Sequence, residues 1–200
     1  DWVRYVLDRP LAHPPGVHFN YSTGDTQLLA AALQTLTGMS LHDYARLYLF
    51  DPLGIARHAW PADPQGVTIG GAELALTPRD LARIGYLALR GGAWDGTAIV
   101  PPAWIADSHT AHTSLMPEAD DECERLAYGY LWWLRPQAEH ESALAVGYGG
   151  QFAVVVPALD LVVVMTGDIA AAPEPFRSNR MLCRFNLVEE FIVPAVLDRP

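Results

Sequence analysis

Apolar residues recur at helical spacing through the first part of this chain and at strand spacing through much of the remainder. That single change of period constrains the fold most. Leu81, Ile84, Leu87 and Ala88 mark a helix stripe. Gln151–Val156 and Leu161–Thr166 are instead short Val-rich runs separated by Pro157-Ala158-Leu159-Asp160, which reads as a hairpin. Helices and strands segregated along a chain indicate an α+β fold rather than a regularly alternating one. With 200 residues, half of them apolar and 18% charged, the chain is long and apolar enough to bury a core, as one domain or a large piece of one.

Local signals place the elements. Asp25–Thr37 is rich in Leu and Ala, and Gly38 sits where a helix C-cap belongs. Ser40-Leu41-His42-Asp43 resembles a capping box with Asp in place of Glu, and predicts a helix to about Phe50, stopped by Asp51-Pro52-Leu53-Gly54. Pro61–Gly71 reads as a loop. Thr77-Pro78-Arg79-Asp80 supplies a cap, a proline at the first helical position and an acid in the first turn. Pro101–Ser108 predicts a short helix, and Tyr128–Leu134 an aromatic β-rich stretch. Ser178–Leu197 places Met181, Leu182, Phe185, Val188 and Ile192 on one stripe of a last helix covering the sheet. The expected division is a mostly helical portion over 1–125 and strands plus a C-terminal helix over 126–200.

Charge excludes several function classes. Net charge is −10, against nucleic acid as a partner, because phosphates demand a basic surface. All 13 cationic side chains are arginine. Without a lysine, this polypeptide alone provides no Schiff base, no P-loop lysine and no Ser-x-x-Lys nucleophile. Cys123 and Cys183 are too few for a disulfide scaffold or a four-cysteine zinc site. One disulfide and two free thiols both stay open. Glu118–Glu124 carries five acids in seven residues and reads as a solvated loop, lacking the spaced ligands and glycine of a calcium loop. No apolar run reaches the roughly 18 residues of a membrane span. No signal peptide is visible after Asp1, and the compartment stays open.

Three features carry candidate chemistry. Asn20-Tyr21-Ser22-Thr23-Gly24-Asp25 joins a breaker to a helix: Tyr21 either packs or projects its phenol into a cleft. Gly147-Tyr148-Gly149-Gly150-Gln151 leads into a strand. It is either a tight turn or a place where backbone N–H groups meet an oxyanion. Asp107, His109 and His112 have partial zinc-ligand spacing but no third strong ligand, so they read as a surface loop or helix end and no metal is expected.

Together the first two features resemble a known family. Pro15–Leu29, containing Tyr21-Ser22-Thr23-Gly24-Asp25, is similar to the second-motif region of the serine β-lactamase and penicillin-recognising superfamily. The likeness is greatest to the branch with esterases, D-amino-acid peptidases and 6-aminohexanoate-dimer hydrolases. Thr37–Leu41, Phe50–Ile55, Gly70-Gly71 with Leu76–Arg83, and Tyr128–Trp133 come next in the same order. The resemblance implies a β-lactamase/transpeptidase-like fold, a helical subdomain plus an antiparallel sheet. It implies no metal or organic cofactor, and a small amide or ester as substrate. It makes Tyr21 the catalytic tyrosine and Gln151 the donor of an oxyanion-hole N–H. Thr23, Tyr148, Gly149 and Gly150 become substrate-binding residues. Thr23 stands where asparagine is commoner and keeps one hydroxyl only; Tyr148 replaces a cation. Ser-x-x-Lys belongs upstream of Tyr21, yet none of the twenty preceding residues is serine. The expectation is therefore the C-terminal part of a longer serine hydrolase, inactive alone, with the upstream segment or a second copy as partner. A non-catalytic binding protein on the same fold is the alternative.

Overall fold

The computed structural model describes residues 1–114, 126–135, 138–168 and 187–197. The acidic stretch 118–124, both cysteines, and Met181, Leu182 and Phe185 of the expected last helix lie outside them. The chain forms two compact units, Asp1–Asp80 and Leu81–Pro200.

In the first unit, α1 (Trp2–Leu7) starts on Asp1, whose carboxylate accepts from the Arg4 N–H at 2.9 Å. The long helix α2 (Thr23–Thr37) begins two residues before the expected Asp25, because Ser22 is its cap: Ser22 Oγ accepts from the Asp25 N–H. Gly38 ends α2 in the left-handed region at φ 70°, with its N–H donating to Gln34 O. Helix α3 (Leu41–Ala45) is capped by Ser40, whose Oγ accepts from the Asp43 N–H at 3.0 Å and donates to the Asp43 carboxylate at 2.7 Å, so the acid meets the cap through its hydroxyl. The helix continues as a π-helical turn over Arg46–Phe50. Phe50, Leu53 and Ile55 form the fully buried heart of this unit. A two-residue ladder joins β1 (His58–Ala59) to β2 (Ala75–Leu76), and the 61–71 loop lies between them.

Helix α4 (Pro78–Leu89) starts as its sequence dictates, with the Asp80 N–H on Thr77 Oγ1 and that hydroxyl donating to the Asp80 carboxylate at 2.6 Å. In the second unit β3 (Ala93–Trp94) and β4 (Thr97–Ala98) make a tight hairpin, followed by α5 (Pro102–Ser108). A six-stranded antiparallel sheet then forms from β5 (Thr113–Ser114), β6 (Ala127–Tyr128), β7 (Trp133–Arg135), β8 (Ser142–Gly147), β9 (Gln151–Val156) and β10 (Leu161–Met165). Its order is β10-β9-β8-β7-β6-β5, so every strand pairs with its neighbour in sequence. The β9–β10 hairpin has the expected partners, Val156 opposite Leu161 and Phe152 opposite Met165.

Why β9 reads as an unbroken apolar run is clear from its two faces. Val155 and Val162 face α4, where a Cβ on Gly85 would come within 2.7 Å of Val162 Cγ1. Val154 and Val156 share a cleft with Val188 and Val193 of the C-terminal helix. A strand covered on both faces loses its alternation of apolar and polar residues. Of the expected last helix, the described residues form a π-helical turn (Val188–Ile192) leading into α6 (Val193–Leu197). Arg135 Nη1 of β7 meets Glu189 at 2.7 Å beside it.

The aromatic stretch is not one strand. It folds back between β6 and β7 at Leu131, a non-glycine residue with φ 65°. Gly129 makes this turn possible: its N–H donates to Trp132 O, and any Cβ there would strike Ser108 O. Tyr130 is left exposed, its ring stacked between those of Trp104 and His112.

Candidate active site

Tyr21 is the residue immediately before the cap of α2. Ser22 is extended (φ −136°, ψ 113°), so the chain turns sharply between Tyr21 and the first helical residue, Thr23. Tyr21 is 43% exposed. Thr23 uses its carbonyl to accept from Thr26 Oγ1 at 2.8 Å. Gly24 lies under α1, close enough that a Cβ would sit 3.0 Å from Val6 Cγ2.

The Gly70-Gly71 dipeptide crosses this first turn of α2 like a strap. A Cβ on Gly70 would collide with Thr26 O, and one on Gly71 would lie 2.5 Å from both Thr23 Cγ2 and Thr26 Oγ1. The strap is tied down by Gln27, which is 4% exposed. Its Oε1 accepts from the Gly70 N–H at 2.9 Å and its Nε2 donates to Asp63 Oδ2 at 3.1 Å. Asp63, 6% exposed, takes two further bonds on Oδ1, from the N–H groups of Gln65 and Val67. A buried carboxylate with three donors has its desolvation cost offset in place. Neither Gln27 nor Asp63 was a candidate from sequence. Their partnership spans 36 residues, and no local pattern encodes it.

The second group of residues sits on the β8–β9 hairpin of the other unit. Gly147 pairs with Gln151, and Tyr148-Gly149-Gly150 is the connecting turn. Gly149 at φ 77° and Gly150 at φ 89° occupy backbone conformations that L side chains rarely adopt. Tyr148 points outward at 58% exposure. The Gln151 side chain bolts the turn to the segment after β10: its Nε2 donates to Gly167 O at 2.7 Å and to Gly149 O at 3.3 Å. Gly167 packs on the Gly149 carbonyl so closely that a Cβ would collide with it. The structure thus brings Tyr21 and Thr23 to one corner of α2, and Tyr148, Gly149, Gly150 and Gln151 to one rigid turn.

The third sequence feature divides. His112 Nε2 bonds the Asp107 carbonyl at 2.8 Å. His109 is packed against Trp132 with its Nε2 buried and unpaired, and burial lowers its pKa. Among the described residues no three His, Cys, Asp or Glu side chains converge.

A helical unit with a capped, tyrosine-led α2 and a sequential antiparallel sheet flanked by helices define the β-lactamase/penicillin-binding-protein fold. The beta-lactamase family model matches residues 1–182, and the chain belongs to that family. A 6-aminohexanoate-dimer hydrolase from Paenarthrobacter ureafaciens is 27% identical over 168 residues, covering 78% of this chain and 40% of that protein. A solved structure provisionally named 6-aminohexanoate-dimer hydrolase, from Bacillus anthracis, superposes with TM-score 0.82 at 25% identity, covering 98% of this chain and 48% of that one. A penicillin-binding protein from Bacillus halodurans shares the fold at TM-score 0.62 and 17% identity, over 81% of this chain and 56% of its own. The chain spans less than half the length of the two hydrolase relatives.

Proposed function

We propose that this chain is the C-terminal part of a serine hydrolase that cleaves a small amide or ester through an acyl-enzyme. The nucleophilic serine and its lysine lie in a segment upstream of Asp1. The observation that carries the reading is the exposed Tyr21 at the capped corner of α2, in a chain whose family match runs through residues 1–182. The serine oxygen attacks the carbonyl carbon, and its proton passes to the tyrosine–lysine pair. The pair returns a proton to the leaving nitrogen or oxygen as the C–N or C–O bond breaks. Water then releases the acyl group by the same route. Tyr21 acts as the base, and a Gln151 backbone N–H stabilises the oxyanion. Thr23 and the Tyr148-Gly149-Gly150 turn hold the substrate.

The dependence on lysine comes from magnitudes. A free phenol has a pKa near 10, so only about 0.1% is phenolate at neutral pH; a neighbouring cation favours the phenolate. This chain has no lysine to supply it. The names of the two hydrolase relatives make an amino-acid dimer the first amide to try. A binding protein on the same fold is the second reading, favoured by Thr23 in place of an amide and Tyr148 in place of a cation.

A fluorophosphonate probe tests the assignment of the nucleophile. In the polypeptide extended upstream, the label is expected on a single serine before Asp1. The 200-residue chain, with six serines of its own, is expected to stay unlabelled. A label on any of those six sinks the reading.

A further inference from the structure

Gln27 is buried one turn into a helix, where a leucine would serve packing equally well. A buried amide is costly unless its polar atoms are used, and this one commits both to the 61–71 loop. Its two bonds join three separate stretches: α2, the Asp63 turn and the Gly70 strap. The strap in turn presses on the first turn of α2, at Thr23 and Thr26, where no side chain larger than hydrogen fits. The clamp therefore fixes the height of the strap over the helix turn that begins two residues after Tyr21.

We propose that Gln27 is the positioning residue of the Tyr21 site. Its buried amide clamps Gly70-Gly71 onto the start of α2 and so holds the Tyr21–Thr23 corner in the orientation the chemistry needs. The proposal rests on the functional reading above. Displacing a reacting group by about 1 Å can cost about 100-fold in rate, so the clamp should register mainly in kcat through Tyr21, and to a smaller extent in KM through Thr23.

The variants belong in the polypeptide extended upstream through its serine and lysine, with a short-acyl ester as probe. Gln27→Leu keeps the volume and removes both bonds. It is expected to lower kcat about 10–100-fold and leave KM within about threefold. In a Tyr21→Phe background the same change should cost less than about threefold, because the group it positions no longer handles a proton. A side chain that merely stabilises the unit would shift melting temperature and leave this coupling at zero. Wild-type kcat in Gln27→Leu, or an equal loss in both backgrounds, overturns the proposal.

Gly71→Ala approaches the clamp from the other side. It leaves Gln27 intact but places a methyl against Thr23 and Thr26, and it should lower kcat to a similar extent; wild-type kcat counts against the clamp. If Gln27→Leu does not fold, Gln27→Glu carries the test. A neutral carboxyl accepts from Gly70 and donates to Asp63, whereas an ionised one opposes the Asp63 carboxylate. Relative to wild type, kcat of that variant should fall as pH rises, and a pH-independent ratio overturns the proposal. A Tyr21→Phe enzyme as fast as wild type sinks the functional reading and this one with it. A slow Tyr21→Phe beside a fast Gln27→Leu sinks only the clamp.

Discussion

At the residue scale, two half-buried histidines contribute to the chain's response to pH. His42 Nε2 lies 2.8 Å from His58 Nδ1, and the Phe50 ring packs on His58. The His42 pKa is lowered, first by burial and then by His58 and Arg46, with Asp43 opposing. A histidine whose folded pKa is lowered binds fewer protons folded than unfolded below its ordinary value of about 6.5. Its contribution to stability is therefore complete above that pH and is lost as pH falls below it. His109, whose pKa burial also lowers, acts with the same sign. Thermal melts between pH 5 and 8 should show Tm falling on the acid side, and His42→Gln should flatten part of that slope. Equal slopes in wild type and variant would remove His42 from the account. Residue-scale chemistry was legible where it is local. The Ser40–Asp43 and Thr77–Asp80 pairs arise from three-residue spacing, and the Gly38 cap from its place at the end of a periodic run. Gln27 and Asp63 were not legible, because each looks like an ordinary helix or loop residue until the fold brings them together.

At the scale of elements, the β9–β10 hairpin and the helices α2 to α5 could be read from period and caps. Two features could not. Strand β8 hides in Ser142–Gly147, a run of small residues with little β-branching. The fold-back at Leu131 interrupts a stretch whose aromatic content favours a continuous strand; it brings Gly129 so near Ser108 O that a Cβ there would collide. The central strands should carry the stability of the second unit. Leu144 of β8 is 1% exposed and Phe152 of β9 is 2% exposed. Leu144→Ala should cost about 2–5 kcal/mol and Phe152→Ala about 3–5 kcal/mol by chemical denaturation, the range for emptying such sites in a core. A loss below about 1 kcal/mol at either would show that the sheet centre is loosely packed.

At the scale of the whole molecule, the sheet ends, among the described residues, on an apolar edge. β10 is Leu-Val-Val-Val-Met, half-buried along its length, and it pairs on one side only among the described residues. An edge without charge, proline or bulge invites another strand. The 200-residue chain should therefore sediment partly as larger species, and Val163→Lys should shift it toward monomer. A monodisperse wild-type monomer would mean that the edge is already protected. Activity is a property of the same scale, since the chain carries a tyrosine and a glycine-rich turn but no Ser-x-x-Lys. The central claim is that Tyr21 handles the proton for a serine outside this chain, and kcat of Tyr21→Phe in the upstream-extended polypeptide tests it most directly. The substitution keeps the ring and removes one oxygen, so Tm should hardly move. General acid–base work by one group is worth about 100- to 10,000-fold, and a fall of that size on a short-acyl ester is the expected result. Hydrolysis at the wild-type rate would contradict the account.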